Sequence, residues 1–109
     1  MGETAYWVYV TAADEVEARA IGRALVEERL AACVNLLPGH RSIYRWQGEV
    51  REEAEAAFVA KTTAARFAAL SARIRDLHSY ETPAILALPA VAGDAAFLDW
   101  LRRETTEPG

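Results

Sequence analysis

Ser42-Ile43-Tyr44-Arg45-Trp46-Gln47-Gly48, followed by the run from Glu49 to Lys61, is the stretch whose reading decides the fold. Ser42 to Trp46 is extended in character, rich in aromatic and β-branched side chains. Gln47-Gly48 reads as a tight turn. The return run pulls two ways. Its alanines and glutamates would permit helix, and helix propensity favours it. The turn and the Phe58-Val59 pair favour a strand, with Glu53, Glu55, Ala57 and Val59 alternating with Ala54, Ala56, Phe58 and Ala60. The strand reading is adopted because the turn, Phe58-Val59 and a family resemblance together outweigh the helix preference.

Upstream, Cys33-Val34-Asn35-Leu36-Leu37 reads as a strand ended by Pro38-Gly39. Before it, a helix runs from Asp14 and Glu17, a D-x-x-E start that satisfies free backbone N–H groups, to about Leu30. Val16, Ala20 and Ala24 recur there at roughly helical spacing, while Glu15, Arg19, Arg23 and Glu27 fall largely elsewhere. Gly22 costs helix propensity and so marks a close packing contact. Tyr6-Trp7-Val8-Tyr9-Val10-Thr11 forms the opening strand.

Downstream, Thr62-Thr63 can cap a second helix with an apolar stripe of Phe67, Leu70, Ile74 and Leu77, broken at His78-Ser79-Tyr80-Glu81-Thr82-Pro83. Ile85 to Leu88 is a buried-looking strand stopped by Pro89. Gly93-Asp94 leads into a closing helix with Phe97, Leu98, Trp100 and Leu101, and the tail from Glu104 to Gly109 is polar and expected to fray. The order β-α-β-β-α-β plus a terminal helix is the α+β, ferredoxin-like arrangement, with both main helices on one face of an antiparallel sheet. The other face needs cover. With Trp7, Tyr9, Tyr44, Trp46 and Trp100 to hide in so short a chain, neighbouring subunits are the expected cover.

The bulk numbers agree. The 109 residues suit one domain, 1–109, with one core, and 52% hydrophobic residues disfavour disorder. A net charge of -4, with basic and acidic residues interleaved, argues against nucleic acid as a partner. Nothing is long and apolar enough to span a bilayer, and Met1-Gly2-Glu3-Thr4 does not open a signal peptide. Cys33, the only cysteine, allows no internal disulfide, which suits a cytoplasmic location.

Five stretches together resemble the CutA (divalent-cation tolerance) family. Leu25 to Asn35 is similar to its L-V-x-x-x-L-A-A-C-V-N segment, and Ser42 to Gly48 to S-x-Y-x-W-x-G. Glu55 precedes Lys61-Thr62 at the family's spacing, His78 to Pro83 resembles H-P-Y-E-x-P, and Leu98 to Leu101 resembles L-x-W-I. The resemblance implies a ferredoxin-like homotrimer similar in architecture to the PII signalling proteins, with a long hairpin arm and strand pairing between subunits. It also implies a link to tolerance of copper and other divalent cations, without defining a mechanism. Two departures stand out: Ser79 replaces the motif proline, and Ala84 an acidic residue. Copper ligands proposed in some relatives match Val10 and Leu77-His78 here, so only His78 survives.

His78 is the metal-ligand candidate, since neutral imidazole ligates copper-like cations. The competing reading has it capping the helix end or bonding a backbone carbonyl. No C-x-x-C, H-x-H or H-E-x-x-H accompanies it, so any site is weak and shared between subunits. Lys61, Glu55, Tyr80 and Glu81 form a candidate polar cluster. It is either an inter-subunit salt-bridge network or, as in PII-like trimers, a cleft for a small anionic metabolite paired with Lys61. Trp46, two residues from Tyr44 on one strand side, is either an interface anchor or a stacking platform for a ligand. Cys33 reads as a small buried hydrophobe. Arg45 to Val50 imitates the acylphosphatase loop, but Glu49 opposes an anion and the trailing F-R pair is missing. No cofactor is required on this reading. The chain is expected to be a binding protein rather than an enzyme, or else a structural scaffold trimer whose protein partner is unidentified.

Overall fold

The computed structural model describes residues 3–106. Its elements are β1 (Ala5–Ala12), α1 (Glu15–Glu27), β2 (Cys33–Trp46), β3 (Glu49–Thr63), a single 3₁₀ turn (Ala64–Arg66), α2 (Phe67–Leu77), β4 (Ile85–Pro89) and α3 (Ala95–Glu104). The sheet order is β2-β3-β1-β4 with every neighbour antiparallel. This is the arrangement expected from the sequence. Among the described residues, no helix is long and apolar enough to cross a membrane.

The hairpin reading of residues 42–61 holds in full. Gln47 (φ 50°) and Gly48 (φ 81°) both occupy the left-handed region, as a two-residue hairpin turn requires, and Trp46 pairs with Glu49 across it. The alanines and glutamates of β3 are strand because the run pairs with β2 along its length and with β1 over its second half, which outweighs helix propensity.

Pro38-Gly39, expected to end a strand, does not. β2 runs on to Trp46, with a register shift between Leu37 and His40. Proline cannot donate to a ladder, and a bulge on an edge strand is where the sheet tolerates that loss.

The core lies between one sheet face and the helices. Val8, Val10, Phe58 and Ala60 meet Ile21 and Leu25 of α1 and Leu70 and Ile74 of α2, all fully buried or nearly so. Gly22 marks the expected close approach: a Cβ there would stand 2.9 Å from Val34 Cγ1. The α1 start is built as read, Asp14 Oδ1 accepting the Glu17 N–H at 2.8 Å and Glu17 Oε1 accepting the Ala13 N–H at 2.9 Å. The Thr62-Thr63 pair precedes the 3₁₀ turn, but without a capping side-chain bond; Thr62 is buried and its hydroxyl donates to the Leu30 carbonyl at 2.6 Å.

The opposite sheet face is covered in part by the chain itself. Ala5, Ala32 and Leu101 form a second small cluster, with Leu98 and Trp100 against it. The rest of that face exposes Trp7, Leu86 and Leu88, the last two at 64% and 50%. Thr105 and Thr106, within the tail expected to fray, are held against the body. Thr105 is buried, and the Arg29 guanidinium donates to the Arg103 and Thr106 carbonyls at 2.8 and 3.1 Å. The remainder of the tail expected to fray lies outside the described residues.

Candidate functional site

Beyond the bulge the β2–β3 hairpin leaves the helices behind and projects as an arm, which contributes to a long axis of 46 Å. Its register sorts the side chains. His40, Ser42, Tyr44 and Trp46 share one face with Glu55, Glu53, Arg51 and Glu49. Where the arm leaves the body, the loop after α2 folds over this face and partly walls an open cavity of about 580 Å³.

Tyr44 and Trp46 wall it from β2, Arg51, Glu53 and Glu55 from β3, and Tyr80 and Glu81 from the loop. The Tyr80 hydroxyl donates to Glu55 Oε2 at 2.6 Å, and the Tyr44 hydroxyl donates to Glu53 Oε1. Partial burial, then the bond to Glu55 and its charge, push the Tyr80 phenol well above its ordinary range, so it remains a donor. Three carboxylates against one guanidinium make the cavity acidic, and its three aromatic side chains are half-buried.

The loop is set by His78. Its side chain is fully buried, and its backbone N–H bonds the Ile74 carbonyl at 2.9 Å, closing α2. On the ring, Nε2 lies 2.7 Å from the Thr11 carbonyl oxygen, and Nδ1 accepts the Tyr80 N–H at 3.0 Å. A carbonyl only accepts and a backbone N–H only donates, so the neutral tautomer with the proton on Nε2 satisfies both. Both ring nitrogens are thus engaged, Nε2 with the Thr11 carbonyl and Nδ1 with the Tyr80 N–H. The competing reading, a histidine bonded to a backbone carbonyl at a helix end, is the one found.

Glu17 completes the support. Its carboxylate accepts the Ser79 N–H at 2.8 Å as well as the Ala13 N–H, and lies 3.8 Å from His78 Nδ1. Burial alone would raise its pKa, but the bonds from Ala13 and Ser79 hold it below the ordinary value.

Of the five residues expected to bind a ligand, Trp46, Glu55, Tyr80 and Glu81 line this one cavity. Lys61 does not. It lies six residues along β3 from Glu55, about 20 Å at strand rise, and its Nζ sits 5.7 Å from the Phe97 ring centre. Cys33 pairs with Lys61 across β2 and β3, and burial raises its thiol pKa despite the Lys61 charge, consistent with an inert side chain. Among the described residues, no three His, Cys, Asp or Glu side chains are grouped so as to hold a metal ion. Sequence reading missed Arg51 and Glu53, although a two-residue turn at Gln47-Gly48 places them opposite Tyr44 and Ser42 by counting.

Residues 6–104 match the family described as CutA1 divalent ion tolerance protein. The chain is 53% identical over 98 residues to the divalent-cation tolerance protein CutA of Thermus thermophilus, covering 90% of this chain and 95% of that one. It is 42% identical over 97 residues to protein CutA of Homo sapiens, covering 89% of this chain but 54% of the human protein. A solved divalent cation tolerance protein (Cut A1), also from Thermus thermophilus, superposes with a TM-score of 0.91 at 51% identity, over 94% of this chain and 99% of that one. With the family match spanning residues 6–104, the chain belongs to the CutA1 divalent-ion tolerance family.

Proposed function

We propose that the chain serves in divalent-cation tolerance as a cytoplasmic homotrimer that binds and does not catalyse, and that its working site is the acidic cavity beneath the arm. The observation that carries the reading is that cavity: Glu53, Glu55 and Glu81 turn a negative, partly walled surface toward whatever enters it. Such a surface attracts cations in general. A tight transition-metal site needs three or four convergent donors, and the described residues of one subunit group no such set. Copper-like cations therefore bind weakly, through carboxylates and through ligands shared between copies. Assembly is supported by Trp7, Leu86 and Leu88, an apolar strip left open on the sheet face away from α1 and α2.

The alternative, an anionic metabolite in a cleft between subunits, draws no support from within one chain, where Lys61 lies six positions along β3 from Glu55 and against Phe97, and the cavity's own charge is negative. Calorimetric titration of copper(II) into the wild type and Glu55→Gln tests the proposal. A weak saturable heat that Glu55→Gln diminishes is expected; equal heats from both proteins, or none from the wild type at millimolar copper, contradict it.

A further inference from the structure

On the sheet face away from α1 and α2, Lys61 lies in a row between Cys33 and Trp7, with Leu88 beyond Trp7. The next row, Asn35, Val59, Tyr9 and Leu86, is uncharged. Lys61 is therefore the one charged side chain of the two rows. Its own chain does not answer that charge. Among the described residues its ammonium makes no hydrogen bond or ion pair, and the group it faces is the Phe97 ring, whose centre is 5.7 Å from Nζ. Beside it Trp7, Leu86 and Leu88 leave apolar surface uncovered. Whatever covers that strip also takes water from the ammonium, which is costly unless a counter-charge arrives with the cover.

The same face carries the opposite charge at its other end. Six positions along β3, about 20 Å at strand rise, Glu55 begins the acidic group that includes Glu53 and Glu81. These carboxylates are not equivalent. Glu55 and Glu53 each accept a tyrosine hydroxyl within the chain, and Glu49 at the arm tip is flanked by Arg51 on the same strand face. The exposed Glu81 carboxylate makes no hydrogen bond or ion pair among the described residues. One face thus holds an unanswered cation and an unanswered carboxylate, too far apart to meet within one chain.

A second copy of this chain brings an apolar strip and the counter-charge on one surface. In a ring of copies, the Lys61 end of one face lies against the Glu81 end of the next, and each copy uses both groups once. We infer that Lys61 of one copy pairs with Glu81 of the next, so that the surface around Lys61 is completed by a second copy and not by a free ligand. This rests on the homotrimer reading, and it names the charge pair that sets the register between copies. The pair takes Glu81 and leaves Glu53 and Glu55 to the cation site.

The test follows particle mass by light scattering as the full chain is diluted, for wild type, Lys61→Met, Glu81→Gln and the double variant, with circular dichroism as proof of folding. Each single change leaves a charge unpaired in the interface, so each variant is expected to dissociate at a roughly tenfold higher concentration than wild type. The double variant should lose no more than the worse single one, as coupled partners do. The sign for Lys61→Met is decisive, because methionine keeps an apolar stem against Phe97 and removes only the charge. If Lys61 meets no counter-charge in the assembly, that variant stays trimeric to lower concentration than wild type; this overturns the inference and leaves the homotrimer standing. Glu81→Gln holding together as well as wild type overturns it in the same way, as do losses that add in the double variant. A wild type that is a single folded chain at every concentration removes the homotrimer reading and the inference together.

Discussion

His78 Nε2 lies 2.7 Å from the carbonyl oxygen of Thr11, tying the end of α2 to the end of β1 across 67 residues of sequence. The same ring accepts the Tyr80 N–H on its other nitrogen, and Tyr80 in turn reaches Glu55 on the arm. One buried imidazole thus joins the core to the cavity. Replacing His78 with Ala leaves a carbonyl and an N–H without partners, and should cost about 2–3 kcal/mol. His78→Asn, which can keep an acceptor near Nδ1, should recover part of it. Chemical denaturation compares the three proteins; equal stability of Ala and Asn variants would count against the Tyr80 bond.

Glu17 should give the stability an acid-sensitive component. Its pKa is lowered in the fold below the ordinary carboxylate value, so its contribution is complete above that ordinary value and is lost as pH falls through the lower folded one. Glu17→Gln should therefore be less stable than wild type at pH 7 by about 1 kcal/mol, the usual worth of a capping carboxylate. The two proteins should converge at low pH. Thermal melts from neutral pH down into the acid range would measure this, and a gap that widens toward acid would refute it.

Gly22→Ala should destabilise, although alanine is the better helix former. The new methyl would meet Val34 Cγ1 at 2.9 Å on a neighbouring strand, and overpacking of this kind costs about 1–3 kcal/mol. Val34→Ala combined with Gly22→Ala should relieve the clash. A double-mutant cycle in urea, read as a coupling of opposite sign to the single loss, checks it.

Gly48→Ala should cost about 1 kcal/mol by forcing a side chain to φ +81°, with no neighbour within 4 Å to complicate the reading. Amide exchange should quicken at the tip of the arm and remain unchanged in the core strands. Uniformly faster exchange would show that the turn is not a local element.

Much of the fold is legible in the sequence because local signals agree. Gln47-Gly48 specifies the turn and Asp14 and Glu17 the helix start, whereas the strand that alanines obscure is read only with the family resemblance beside Phe58 and Val59. Pro38 misleads because a proline normally stops a strand, and only its place on the edge of the sheet explains why it does not. Lys61 stands six positions along β3 from Glu55, a distance that a family motif hides and a strand's rise reveals. His78 invites a reading from its own chemistry, yet its bonding depends on Thr11 and Tyr80, which meet it only in three dimensions.

The proposed homotrimer requires copies of this chain to share the sheet face that leaves Trp7, Leu86 and Leu88 uncovered. Light scattering coupled to size-exclusion chromatography tests it most directly, with the wild type beside a Leu88→Arg variant. The expected wild-type particle is about 36 kDa, three chains of 12.0 kDa, which the variant reduces toward one chain. A stable, folded wild-type particle of a single chain would contradict it.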